Sequence, residues 1–110
     1  MVVERVMAEV EQGLAASLAA LDRDDGASPV LRAVVEEFSR KFTKTHGAIV
    51  GPDERRSREA LIELEQAADS ARYAALADPG AAPTTRDRIV DTHDWVCTYK
   101  VTGQLLRPDG

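Results

Sequence analysis

The sequence predicts an all-α protein, an antiparallel four-helix bundle forming a single domain. Three observations carry that expectation. Apolar residues recur at three-and-four spacing along most of the chain, which is the period of one helix face. Four such segments, at about residues 2–22, 29–46, 53–77 and 85–106, are separated by short runs of Gly, Pro and Asp. The length of 110 residues suits one core, because two cores of half that size would each be marginal.

In the first segment Val3, Val6, Val10, Leu14, Leu18 and Leu21 share a face. Gly13 interrupts it at a cost of about 1 kcal/mol against Ala, which the Ala-rich run from Ala15 to Ala20 offsets. Asp22-Arg23-Asp24-Asp25-Gly26 then reads as a solvated turn. Ser28-Pro29 marks the next start: the Ser side chain accepts from a free backbone N–H, and Pro at the first helical position loses nothing. Leu31, Val34, Val35, Phe38 and Phe42 form the buried face of this second helix, which should stop near His46-Gly47. Arg40, Lys41 and Lys44 would then sit in its last turns and complement the negative end of the helix dipole.

Gly47-Ala48-Ile49-Val50-Gly51-Pro52 is apolar for a connection and is expected to fold back over the bundle end. Asp53 offers a cap for a third helix, which Asp78-Pro79-Gly80 stops. Its seam, Leu61, Leu64, Ala68, Ala71 and Ala75, is small enough to let a neighbouring backbone approach, with Tyr73 and Leu76 bordering that contact. For the fourth helix Thr84 or Thr85 is the expected cap, and Ile89, Val90, His93, Cys97, Val101 and Leu105 the expected face. Trp95 to Thr102 also alternates with period two, but a lone strand would have no partner, so helix is predicted. No internal repeat is read alongside this pattern.

The chain is 44% hydrophobic and 30% charged with 5% aromatic residues, so its core must be built from Leu, Val and Ala. A formal charge of -5 argues against nucleic acid or an anionic membrane as a general partner, since both attract positive charge first. No apolar run approaches the ~20 residues of a membrane span. One Cys makes no internal disulfide and no secretory signal opens the chain, so a cytoplasmic location is expected.

His93 and Cys97 stand four apart, which on a helix brings both within reach of one metal ion, although zinc needs about three or four ligands and no further ligand spacing is evident. The plainer reading makes His93 a partly buried, hydrogen-bonded histidine and Cys97 an inert small hydrophobe. A di-iron bundle would place Glu three residues before His; position 90 is Val. Cys-His catalysis lacks an oxyanion pocket, and the glycines are dispersed at turns instead of forming a phosphate loop. No enzyme activity and no cofactor are expected.

Arg55, Arg56 and Arg58 open the third helix, where the dipole disfavours cations. Glu54 with Arg58 and Arg55 with Glu59 can pair within the helix at about 0.3 kcal/mol each. In an antiparallel bundle these arginines meet Lys41 and Lys44, making a basic pole that suits an acidic partner or anion. The functional expectation is a non-catalytic protein-interaction module, adaptor, chaperone-like or regulatory, acting on another protein with an acidic surface or by forming a homodimer. The alternative is a small-ligand or metal-binding bundle using His93 and Cys97.

Overall fold

The computed structural model describes residues 2–49 and 54–106, with side chains described over 4–47 and 55–99. Four helices follow one another: α1 (Val2–Asp22), α2 (Pro29–Ile49), α3 (Glu54–Ala77) and α4 (Pro83–Leu106). A helix of 24 residues is about 36 Å long and about 10 Å thick. Overall extents of 45 × 21 × 19 Å therefore mean a rod one helix long and two helices wide on each side. The helices form a ring in which α2 packs closely on α3 and α1 on α4, α3 packs on α4, and α1 touches α2 least.

The helix faces follow the sequence in α1 to α3 with small shifts. Val6, Val10, Leu14 and Leu21 are buried in α1, and Leu31, Val35, Phe38 and Phe42 in α2. Leu64, Ala68, Ala71 and Ala75 form the α3 seam as expected, with Ala60 added and Leu61 only partly buried. Val3, Val101 and Leu105, the Asp53 cap and the folded-back Val50 to Pro52 all fall outside the described residues or side chains.

Several expectations need correction. α2 does not stop near His46-Gly47 but runs two residues further, to Ile49. Arg40, Lys41 and Lys44 therefore lie above the last turn, where only His46 is basic. α4 starts at Pro83, one position before the proposed Thr caps, so Pro83 opens it as Pro29 opens α2. Its buried face is Thr85, Ile89, Thr92, Val96 and Tyr99, rotated by about one residue from the expected face, and Cys97 is exposed. Two threonines, which hydropathy places outside, turn inward because their hydroxyls are satisfied: Thr92 donates to the Arg88 carbonyl at 2.7 Å and Thr85 bonds the Asp24 carboxylate. Gly13 explains the close α1–α4 contact. A Cβ there would overlap Thr92 Oγ1 and lie 3.2 Å from both Thr92 Cβ and Cγ2. Tyr73 and Leu76 border no tight contact; they are exposed.

The chain does contain an internal repeat. Asp24-Asp25-Gly26-Ala27-Ser28-Pro29 and Asp78-Pro79-Gly80-Ala81-Ala82-Pro83 share Asp, Gly, Ala and Pro at matching places, 54 residues apart. Burial keeps the same offset through both hairpins. Val6, Val10, Leu14, Ser17 and Leu21 of α1 answer to Ala60, Leu64, Ala68, Ala71 and Ala75 of α3. Leu31, Val35, Phe38, Phe42 and Thr45 of α2 answer to Thr85, Ile89, Thr92, Val96 and Tyr99 of α4. The bundle is thus two helical hairpins of matching register related by an approximate two-fold axis along its length, with α3 and α4 packed more closely on each other than α1 and α2.

Candidate functional site

At the end of the bundle where the α1–α2 and α3–α4 turns meet, the hairpins clasp each other. Asp24 Oδ1 accepts from Gly26 N–H at 3.0 Å, closing its own turn, while its Oδ2 reaches across to accept from Ala82 N–H at 2.8 Å. Asp78 repeats the arrangement, Oδ1 accepting from Gly80 N–H at 2.9 Å and Oδ2 from Ser28 N–H at 2.8 Å. The amides of Ser28 and Ala82 precede α2 and α4 and have no partner within those helices, so each hairpin supplies the acceptor the other lacks. Cross-bonding from Ala82 and Thr85 holds the Asp24 carboxyl below the usual aspartate range, and the Ser28 amide does the same for Asp78. The two glycines make the approach possible: a Cβ on Gly26 would overlap the Gly80 carbonyl oxygen, and a Cβ on Gly80 the Gly26 carbonyl oxygen. Ser28 also caps α2, its Oγ accepting from Leu31 N–H at 3.1 Å, as the Ser-Pro signal predicts. The clasp was legible in the repeated six-residue pattern, which periodicity alone does not reveal.

The α2–α3 face holds the residues of the expected basic pole. Lys41 and Lys44 both reach Glu63 of α3, with Lys41 Nζ at 2.7 Å from Oε1 and Lys44 Nζ at 3.1 Å from Oε2. Lys41 also lies 3.8 Å from Glu37, which Arg40 holds at 2.7 Å. Lys41 and Lys44 accordingly hold Glu63 below its usual range, and Glu63 raises Lys41. These lysines serve a cross-helix network, which explains them better than the helix dipole does. Arg55 pairs with Glu59 at 3.3 Å as the spacing predicts, while the Glu54 side chain expected opposite Arg58 lies outside the described ones. Arg56 and Lys44 are brought together in a cleft of about 380 Å³ with Gly47, Glu59, Ala60 and Glu63. Arg58 is exposed and does not line it.

Next to this cleft, and sharing Glu63 with it, a groove of about 520 Å³ runs between α2 and α3. Ala33, Val34, Ala67 and Ser70 line it, Val30 stands 68% exposed at its margin, and the Lys41–Glu63 pair lies at its polar end. Small side chains from both helices leave this space. The equivalent positions on the α1–α4 face carry Arg88 for Val34 and Trp95 for Lys41, and Trp95 packs against the core.

His93 is partly buried, with 13% of its side chain exposed, as expected. Its Nε2 lies 2.8 Å from Asp69 of α3 and its Nδ1 3.1 Å from Asp94. A neutral imidazole carries one N–H, so both bonds are made only by the imidazolium. Cys97 Sγ is 3.8 Å from Nε2, the nitrogen already facing Asp69. Among the described residues no group of three or more His, Cys, Asp and Glu side chains has metal-binding geometry. The ring bridges α3 and α4, and the small-ligand alternative gains no observation from it.

Compared with known proteins, the chain matches no family model, no curated protein and no solved structure. Among the described residues no helix is long and apolar enough to cross a membrane.

Proposed function

We propose that the protein is an interaction module whose α2–α3 face receives an amphipathic helical segment of a partner protein, with acidic residues at one end of that segment. The observation that carries this reading is the groove of about 520 Å³ lined by Ala33, Val34 and Ala67, which shares Glu63 with the neighbouring cleft that holds Lys44 and Arg56. Apolar side chains spaced at three and four along a helix suit the groove, the common mode of helix-in-groove recognition. Carboxylates beyond them suit the cleft, where they would compete with Glu63 for Lys44. No catalytic role is assigned to any residue.

The test uses a photo-crosslinking amino acid at Ser70, inside the groove, in cells that make the protein. A discrete adduct is expected, lost when Ala33→Arg fills the groove and weakened by Arg56→Glu, with both variants keeping the helical circular dichroism of the parent. The same crosslinker at Asp87, on the equivalent α1–α4 face, is the control. Adducts at Ser70 no different from those at Asp87, or unaffected by Ala33→Arg, would overturn the reading.

A further inference from the structure

We propose that the contact between the first and second hairpins is an interface through which copies of this chain exchange hairpins, so that a second copy of the chain is itself a partner. This stands apart from the α2–α3 groove and uses the interior surface instead. The first ground is the approximate two-fold: one clasp and one burial register occur twice, 54 residues apart as from Asp24 to Asp78. An interface with that symmetry makes each clasp contact twice, so a first hairpin offers any second hairpin the same paired donors and acceptors.

The second ground is where the packing lies. The two closest helix pairs, α2 with α3 and α1 with α4, both join one hairpin to the other, while α1 and α2 within the first hairpin touch least. Thr45 adds a weaker polar contact, its hydroxyl shared between the Lys41 carbonyl of its own helix at 2.7 Å and the Ala60 carbonyl of α3 at 3.0 Å. The first hairpin therefore has most of its cohesion in the second, whose own helices α3 and α4 also pack on each other. The clasp obeys the same rule, since Asp24 serves Ala82 and Asp78 serves Ser28.

The third ground is connectivity. Residues 50–53 alone join α2 to α3 along the chain, and the clasp sits at the turns at the opposite end of both helices. A hairpin arriving from another chain meets the same acceptors, donors and apolar faces. Side-chain size then decides which hairpins pair. The first carries Leu14, Phe38 and Phe42 where the second carries Ala68, Thr92 and Val96. Two first hairpins would overfill a shared core and two second hairpins would leave it hollow, so the first hairpin of one copy takes the second of another. Two chains doing this to each other close into a dimer of two bundles with no unpaired face.

Two measurements test it. In one, a specific protease site is placed between Gly51 and Pro52 of the full chain and cut in the folded protein. The halves should stay together one to one with unchanged circular dichroism. Mixed with an isotopically labelled cut sample, they should form hybrid particles at their statistical share in native mass spectrometry, with no particle holding two first hairpins. Gly80→Val, which drives a side chain into the Gly26 carbonyl, should lower the hybrid yield. In the other, deletion of Val50 to Pro52 leaves too little chain for one copy to close on itself, and the product should be a helical dimer by light scattering. Separation or unfolding of the cut halves, or their failure to form hybrids, would overturn the proposal, and so would a folded monomer from the deletion. Should the deletion not fold, the uncut chain decides: labelled and unlabelled protein refolded together at high concentration should give a mixed dimer in native mass spectrometry, and monomer alone would overturn the proposal.

Discussion

Ser17 is 1% exposed and its hydroxyl oxygen has no hydrogen-bond partner, an arrangement that costs stability because the group leaves water without compensation. The other hairpin shows the remedy at the same register, where Ala71 is fully buried. Ser17→Ala should therefore raise unfolding free energy by about 1 kcal/mol in urea titration; an unchanged or lower midpoint would mean that the hydroxyl finds a partner in solution. Gly13 runs the opposite way. On propensity alone Gly13→Ala would gain about 1 kcal/mol, yet its Cβ would meet three atoms of Thr92, whose β-branched side chain relieves one contact only by making another. Overpacking of this kind costs about 1–3 kcal/mol, so the variant should be destabilised, and Thr92→Ala should restore part of the loss.

At the level of elements the two turns behave as one device. Asp24 and Asp78 titrate below the ordinary aspartate value of 3.8 in the folded protein, chiefly through the Ala82 amide for Asp24 and the Ser28 amide for Asp78. A carboxyl with a lowered folded-state value adds stability above its unfolded value and loses it as pH falls through the folded one. The urea midpoint should thus hold from neutral pH down to about pH 5 and drop below about pH 4. Glu37 and Glu63, both lowered by their Arg and Lys partners, add to the same decline. Asp24→Asn with Asp78→Asn should lower the neutral-pH midpoint and flatten the acid limb. An acid limb as steep as that of the parent would place the titrating groups elsewhere. Within the acidic run Asp22-Arg23-Asp24-Asp25-Gly26, Asp24 reads from the sequence as a solvated turn residue, but its second acceptor oxygen is used by a residue 58 positions away.

For the whole molecule, helix number and order were legible because the three-and-four pattern is strong in α1 to α3 and each turn carries Gly, Asp or Pro. The face of α4 was not, since its inward threonines count as polar until their hydroxyl partners are known, and His93 and Cys97 lend a false apolar stripe one position away. Within the basic pole the Arg55–Glu59 pair was readable from spacing, whereas the tie of Lys41 and Lys44 to Glu63 depends on how α2 and α3 register across the groove. The repeat was present in the letters but weak, because Ala replaces Val or Leu at most matched core positions of α3 and the identities are few, chiefly four of the six residues around each turn and Glu9, Glu11 and Gln12 with Glu63, Glu65 and Gln66.

Two hairpins locked at their turns by reciprocal carboxylate bonds are the central feature of this molecule, and amide hydrogen exchange of Ser28 and Ala82 followed by NMR reads it directly. Both amides should be protected to nearly the same degree, far beyond ordinary turn amides, because both open only when the hairpins part. Asp78→Ala, which removes both acceptor oxygens, should expose Ser28 first, and Asp24→Ala should expose Ala82 first. Exchange of both amides at the rate of free turn residues, or protection of one indifferent to the aspartate across from it, would contradict the account.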